Sequence, residues 1–278
     1  MAGSLFVVAT PIGNLSDVTE RAARTLRAAD RVIAEDTRRT RALLAHLGIE
    51  GKPLLSLDAH ATAREIDRVL VGIDGGENVA IVTDAGTPAV SDPGTAIVRA
   101  AVKRGIAVVP VAGPSAVTTA IAASGLVTGG FWFAGFLPRK GRARSSAIAR
   151  TAATEDAVVI FESPQRVTAT LRDLASVMPE RACVVAREMT KVHEEFVRGT
   201  LERLASLSRE WIGEITIVLG PDPGACADGN VADEDLDCRI DEEIARGSPS
   251  KSIAERLAAW SGRPRRDVYE RVVRRRQR

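Results

Sequence analysis

Three segments combine glycine, proline and small hydroxyl or acidic residues in a way suited to gripping a ligand by its polar edges. They are Thr10-Pro11-Ile12-Gly13-Asn14-Leu15-Ser16-Asp17, Asp84-Ala85-Gly86-Thr87-Pro88-Ala89-Val90-Ser91-Asp92-Pro93-Gly94 and Val111-Ala112-Gly113-Pro114-Ser115-Ala116. Glycine lets backbone N–H and C=O groups come close to a bound molecule, and proline stiffens the loop that carries them. One such loop is an ordinary turn; three in register along one domain point to a shared ligand. The chain has no G-x-x-x-x-G-K-[ST] phosphate loop, no G-x-G-x-x-G, no G-x-S-x-G elbow and no H-E-x-x-H, so those four chemistries are not written in it. Cys183, Cys226 and Cys238 form no C-x-x-C pair, and His46, His60 and His193 lie far from them, so neither a metal site nor a disulfide framework is expected.

A second kind of chemistry is electrostatic. The formal charge of the 278 residues is only +2, yet charge is segregated along the chain. Arg38, Arg39 and Arg41 form one basic cluster, and Arg139, Lys140, Arg142 and Arg144 a second, read as a loop. A third is the tail, where Arg263, Arg265, Arg266, Arg274 and Arg275 belong to eight arginines set against Asp267 and Glu270, a local net of +6. Lysine and arginine neutralising phosphates supply most sequence-independent affinity for nucleic acid, so a polyanionic partner is expected. With one Tyr, six Phe and three Trp, stacking platforms are few, which favours a folded RNA read by backbone and shape. From Asp228 to Glu243 the sign reverses, with eight acidic residues against Arg239.

The elements that must position these groups alternate. Leu5–Ala9, Arg31–Glu35, Leu54–Leu57, Val79–Thr83 and Ile106–Pro110 read as strands, with helices at Asp17–Ala29, Thr37–Leu47, Ala61–Ile73 and Gly94–Arg104 between them. Asp17-Val18-Thr19-Glu20 has the form of a capping box. A second alternating unit has strands at Phe131–Phe136, Ala157–Phe161, Ala182–Ala186, Glu195–Gly199 and Glu214–Leu219, and helices at Ser145–Ala153, Gln165–Met178 and Leu201–Leu207. The expected organisation is an α/β domain over 1–124, a second over 125–220, an acidic linker over 221–234 and a basic, helix-turn-helix-like module over 235–278. Gly105 to Pro138 carries no charge, but Pro110, Gly113-Pro114, Gly125 and Gly129-Gly130 cut it into strand, turn and helix, so no membrane span is expected. The amino terminus has no basic, apolar signal pattern, which places the expected compartment in the cytoplasm.

Eight short motifs then carry a resemblance: Thr10-Pro-Ile-Gly-Asn-Leu15, Ala34-Glu-Asp-Thr-Arg38, Thr83-Asp-Ala-Gly-Thr-Pro88, Ser91-Asp-Pro-Gly94, Gly113-Pro-Ser115, Gly135-Phe-Leu-Pro138, Phe161-Glu-Ser163 and Ala186-Arg-Glu-Met-Thr-Lys191, with Gly213-Glu214 completing the set. Together they resemble the tetrapyrrole-methylase-like family, and within it the ribosomal RNA small-subunit cytidine ribose 2′-O-methyltransferases. The resemblance implies two α/β domains with S-adenosylmethionine in a cleft between them, homodimerisation, and methylation of a cytidine ribose 2′-hydroxyl in the decoding region of 16S rRNA, as naked RNA or in the 30S subunit. Carried over by position, Pro11, Gly13, Asp84, Ala85, Gly86, Thr87, Pro88, Ser115 and Ala116 would line the cofactor, while Glu162, Arg187, Glu188 and Glu214 would face it from the second domain. The segment Ser56-Leu-Asp-Ala-His60-Ala departs from the richer His-Glu-His-Asn-like stretch common in the family. A ribose hydroxyl needs a base to take its proton; Asp84, Glu162, Glu188 and His60 are the candidates. The competing readings are a tetrapyrrole methylase of the same fold and a noncatalytic nucleic-acid-binding regulator.

Overall fold

The computed structural model describes residues 2–57, 61–89, 94–222 and 233–276. His60, Ser91, Asp92, Pro93, Cys226, Asp228 and Arg278 lie outside the described residues. The chain divides into two compact units, Met1–Ala123 with Ala186–Glu195, and Ser124–Val185 with Phe196–Arg278.

The first unit runs β1 (Ser4–Val8), α1 (Glu20–Ala28), β2 (Arg31–Ala34), α2 (Thr37–His46), β3 (Leu54–Ser56), α3 (Ala63–Asp74), β4 (Val79–Ile81), α4 (Thr95–Lys103), β5 (Ala107–Val111) and α5 (Ala116–Ser124). Its strands form a parallel sheet in the order β3-β2-β4-β1-β5. Both faces are covered, as a parallel sheet with helical crossovers requires. Leu5, Ile33, Val79 and Ile81 pack with Ile66, Val69, Leu70 and Ile73 of α3 and Ile97 and Ala101 of α4. On the opposite face Val8, Val32, Ala80 and Val111 pack with Ala22 and Leu26 of α1 and Leu44 of α2. Pro110 cannot donate to a ladder, and the fold puts it in β5, an edge strand with β1 as its neighbour.

The helix after the first glycine-proline loop starts later than its sequence suggests. Asn14 accepts from the Ser16 amide and closes a 3-10 turn over Leu15–Asp17; Thr19 then caps α1 by accepting from the Ala22 amide at 3.1 Å. Asp17 is spent in the earlier turn, so the capping box expected at Asp17–Glu20 does not form. Thr62 and Glu65 make a capping box at the start of α3, the Thr62 amide donating to Glu65 Oε2 at 2.8 Å.

The second unit runs β6 (Phe131–Phe136), α6 (Gly141–Ala152), β7 (Ala157–Glu162), α7 (Pro164–Ala175), β8 (Ala182–Arg187), β9 (Glu195–Thr200), α8 (Leu201–Ala205) and β10 (Ile215–Leu219), in the sheet order β6-β7-β10-β8-β9. Strands β6 and β7 are parallel, β7 and β10 antiparallel. The basic stretch from Arg139 to Arg144, expected as one loop, is a short loop followed by the first turn of α6.

Helices α9 (Asp233–Ala245), α10 (Ser250–Ser261) and α11 (Arg265–Arg276) close on a small core of Leu236, Ile240, Ile253, Ala254, Leu257, Val268 and Val272. Their charges interlock. Arg263 and Arg271 pair with Asp233 at 2.5 and 2.9 Å, Arg271 also with Asp237 at 2.5 Å, and Arg275 with Asp237 at 2.8 Å and with Asp241. The hydrogen bonds from Arg263, Arg271 and Arg275 hold the carboxyls of Asp233, Asp237 and Asp241, respectively, below their ordinary range. A carboxyl whose pKa is depressed by folding stabilises the folded state above its unfolded value of about 4 and loses that contribution as pH falls through the folded value. Hydrogen exchange of the full chain is therefore expected to show α9–α11 amides losing protection as pH drops below about 4, with D237N showing part of that loss already at neutral pH. Equal protection at pH 5 and pH 2.5 would contradict the pairing.

Candidate active site

Because β4, β1 and β5 are adjacent and parallel, the three glycine-proline loops leave the same edge of the sheet, where open α/β sheets hold ligands. They are tied to one another. Thr10 and Gly86 exchange two backbone hydrogen bonds, at 2.8 and 3.0 Å, and the Thr10 hydroxyl donates to the Thr83 carbonyl at 3.1 Å. The Thr87 hydroxyl donates to the Pro114 carbonyl at 3.3 Å, joining the second loop to the third. A Cβ on Gly113 would stand 3.0 Å from that of Ala9, so the third loop also lies hard against the end of β1. Gly86 adopts φ +81°, and Ala89 reaches +67°, a conformation that costs a non-glycine residue about 1–3 kcal/mol and persists where the surroundings impose it.

A fourth segment joins them. Ala186–Glu195, expected to lie wholly in the second domain, gathers with the first unit. The Asn14 amide donates to the Thr190 hydroxyl at 3.1 Å, and Gly13 has no room for a side chain, since a Cβ there would sit 2.9 Å from the Met189 carbonyl oxygen. Glu188 and Thr190 hold φ values of +50° and +67°, so two strained residues flank Met189. Lys191 donates to Glu188 at 2.8 Å, the Thr190 amide to Glu194 at 2.7 Å, and Arg187 pairs with Glu195 at 3.2 Å.

The candidate bases fall into different environments. Asp84 accepts from the Asp36 amide at 3.1 Å and lies 3.5 Å from Arg39, linking the loop after β4 to the start of α2. Glu188 stands on the strained segment. Glu162 is buried in the second unit and fully engaged, accepting from the Thr170 hydroxyl at 2.7 Å and the Ser163 amide at 2.9 Å, with Arg166 at 3.3 Å. Glu214 is exposed immediately before β10. Pro11, Gly86 and Pro88 are buried, Asp84, Ala85, Thr87, Ser115, Ala116 and Arg187 partly so, and Gly13 is exposed.

A family model for tetrapyrrole (corrin/porphyrin) methylases matches residues 4–205. The chain belongs to the tetrapyrrole methylase family. Among curated members, the ribosomal RNA small subunit methyltransferase I of Halalkalibacterium halodurans is 42% identical over 96% of this chain and 93% of its own length. The protein of the same name from Thermotoga maritima is 45% identical, with 78% of this chain covering 98% of that protein. Solved family folds agree: diphthine synthase superposes with a TM-score of 0.62 at 17% identity, over 78% of this chain and 90% of that one. A uroporphyrin-III C-methyl transferase from Thermus thermophilus, complexed with S-adenyl homocysteine, gives 0.56 at 18% identity, over 78% and 97%.

The basic residues are sorted by the family fold into committed and available. Arg38 closes on Asp36, the cap of α2, at 2.8 Å, and its side-chain hydrogen bond lowers the Asp36 pKa to about 2. Arg39 serves Asp84, while Arg41 is exposed. Arg139, Lys140 and Arg142 are exposed, but Arg144 turns inward, pairing with Asp173 at 2.6 Å and donating to the Pro138 carbonyl and Thr170 hydroxyl at 3.1 Å each. In the tail Arg263 and Arg275 are consumed by α9, Arg265 and Arg266 pair with Glu255 and Glu270 at 3.9 and 3.1 Å, and Arg274 is exposed. Two residues that organise the site escape a reading by charge, Thr10 and Thr190. Their only sequence signal is a hydroxyl inside a glycine- or proline-rich motif, and their role needs a partner 76 or 176 positions away.

Among the described residues, no helix is long and apolar enough to cross a membrane.

Proposed function

We propose that this chain methylates the 2′-hydroxyl of a cytidine ribose in the decoding region of 16S rRNA, with S-adenosylmethionine as donor and the 30S subunit as acceptor, working as a homodimer in the cytoplasm. The observation that carries the reading is the 42% identity, across 96% of the chain, to a protein named as a small-subunit rRNA methyltransferase. The exposed cations Arg41, Arg139, Lys140 and Arg142 support RNA over a compact tetrapyrrole.

The residues present suit the donor. Gly13 and Gly113 let the loops pack closely on Met189 and Ala9, Gly86 takes positive φ, and the clasped loops offer backbone groups together with the carboxylate of Asp84. In this reading Pro11, Gly13, Asp84-Ala85-Gly86-Thr87-Pro88, Ser115 and Ala116 hold S-adenosylmethionine, which when bound supplies an electrophilic methyl group. The protein's own work is to orient the ribose, keep water out and accept the hydroxyl proton. Glu188 is assigned that last task, because it stands on the strained segment against the Gly13-Asn14 corner, whereas Glu162 is buried among its own donors.

Incubation with labelled S-adenosylmethionine and 30S subunits lacking the modification, followed by mapping of the nucleotide, is expected to place label on one cytidine ribose. Label on a base, or transfer to a tetrapyrrole and none to RNA, would reject the reading.

A further inference from the structure

The second unit carries a cleft built from its own residues. It measures about 530 Å³, within the range of small-ligand sites, and is lined by Phe136, Leu137, Pro138, Arg139, Ser163, Gln165 and Arg166 at the carboxyl ends of the parallel strands β6 and β7. Its construction is specific. The β6–β7 register slips between Phe133 and Gly135, and Gly135 takes φ +66°, a bulge of the kind that re-aims the next side chain. The side chain so re-aimed is Phe136, which is 57% exposed although it is a large apolar ring. Phe161 meets it edge-on at 5.7 Å and braces it.

The wall beside the ring is rigid. Arg166 donates to the carbonyls of Leu137 and Pro138 at 2.7 and 3.3 Å, and Arg144 donates to the Pro138 carbonyl as well. Both arginines are held from behind, Arg144 by Asp173 and Arg166 by Glu162. Arg139 follows this clamped pair and is exposed, with no ion pair among the described residues, and Ser163 makes no side-chain capping bond to α7. The cleft therefore presents one braced aromatic face, one available guanidinium and one hydroxyl. None of its lining residues is a carboxylate, and Glu162, which pairs with Arg166 behind the wall, has a side chain with no exposed surface. Such a set can bind a nucleotide but has no group to deprotonate one.

We propose that this cleft holds one unpaired nucleotide of the substrate RNA other than the nucleotide that is methylated, its base stacked on Phe136 and its phosphate set against Arg139. The proposal rests on the RNA-methylating activity above and adds a recognition subsite to it. Stacking on an exposed ring tolerates any base and suits a loop or bulge rather than a duplex.

The test uses the full chain, unmodified 30S subunits and S-adenosylmethionine. F136A is expected to raise KM for the subunits by about tenfold or more, F136W to restore it, and R139A to reduce the salt slope of RNA binding by about one. The Kd for S-adenosylmethionine is expected to stay unchanged in all three, and an unchanged urea midpoint reports that the second unit is folded. An unchanged KM in F136A while the unaltered chain methylates the subunits would overturn the subsite and leave the activity standing. A rise in the cofactor Kd matching the rise in KM would overturn it too, because the cleft would then serve the cofactor.

Discussion

Exchanging Glu188 for glutamine is expected to lower kcat for ribose methylation by about 10²–10⁴-fold, the usual contribution of a positioned proton acceptor, while the Kd of S-adenosylmethionine stays within a few-fold. The backbone at Glu188 is held at φ +50°, with Thr190 at +67° two residues on. A non-glycine residue in that region costs about 1–3 kcal/mol, so the local bonds must impose it. They do: the Lys191 amide donates to the Glu188 carbonyl at 3.0 Å, the Glu194 amide to the Lys191 carbonyl at 3.1 Å, and the Asn14 amide fixes Thr190. Glutamine keeps the shape of the side chain and an acceptor toward Lys191, so E188Q removes the carboxylate's proton affinity and, with its charge, the ion pair to Lys191. E188D, with the carboxylate one methylene back, is expected to recover part of the rate. A kcat for E188Q within a factor of about three of wild type, far short of a proton acceptor's usual contribution, would move the role to another group.

The second large effect is on stability. Arg181 is 2% exposed and donates to four main-chain carbonyls: Gly220 at 2.8 Å, Thr151 at 2.9 Å, Thr154 at 2.9 Å and Asp156 at 2.8 Å. Burial pulls its pKa down and Asp222 acts in the opposite sense, yet a guanidinium remains charged in proteins. One side chain thus ties the end of α6 and the approach to β7 to the start of β8 and the end of β10. R181L would leave four carbonyls without their donor. Thr151 and Gly220 are buried, while Thr154, half-buried, and Asp156, exposed, are open to water; at about 1–3 kcal/mol for each buried acceptor left unpaired, the total loss is expected to be about 3–5 kcal/mol. Trp132, Trp211 and Trp260 all belong to the second unit, so tryptophan fluorescence follows its unfolding without a signal from the first. The urea midpoint is expected to fall with little change in slope. A loss below about 1 kcal/mol would show that the carbonyls are satisfied some other way.

The comparison between sequence and structure turns on the range of the forces involved. The strand and helix order was legible because each element buries a face, and burial imposes a period on its own residues: Phe131–Phe136 is the strand the pattern indicates, and Leu236, Ile240, Val268 and Val272 mark the inner faces of terminal helices that the pattern also indicates. The start of α1 was misread at Asp17 because two capping side chains, Asn14 and Thr19, compete within six residues, and sequence order does not say which turn closes first. Glu162 was legible as a carboxylate in a motif, but its engagement depends on Thr170, one helical stretch away, and on Arg166. Arg144, Arg263, Arg271 and Arg275 were legible as charge; only their acidic partners on other helices decide that they are neutralised where they stand.

The amino-acid sequence alone therefore determined the alternation of strand and helix, the glycine and proline corners, and the family whose motifs they are, because these depend on neighbouring residues and on solvent exclusion acting locally. Tertiary structure decided which corners clasp, that Met189 and Thr190 lie against Gly13 and Asn14, that Phe136 is turned outward, and which cations are left for a phosphate. Those outcomes rest on hydrogen bonds and ion pairs between residues tens to more than a hundred positions apart, which take their geometry from the sheet order.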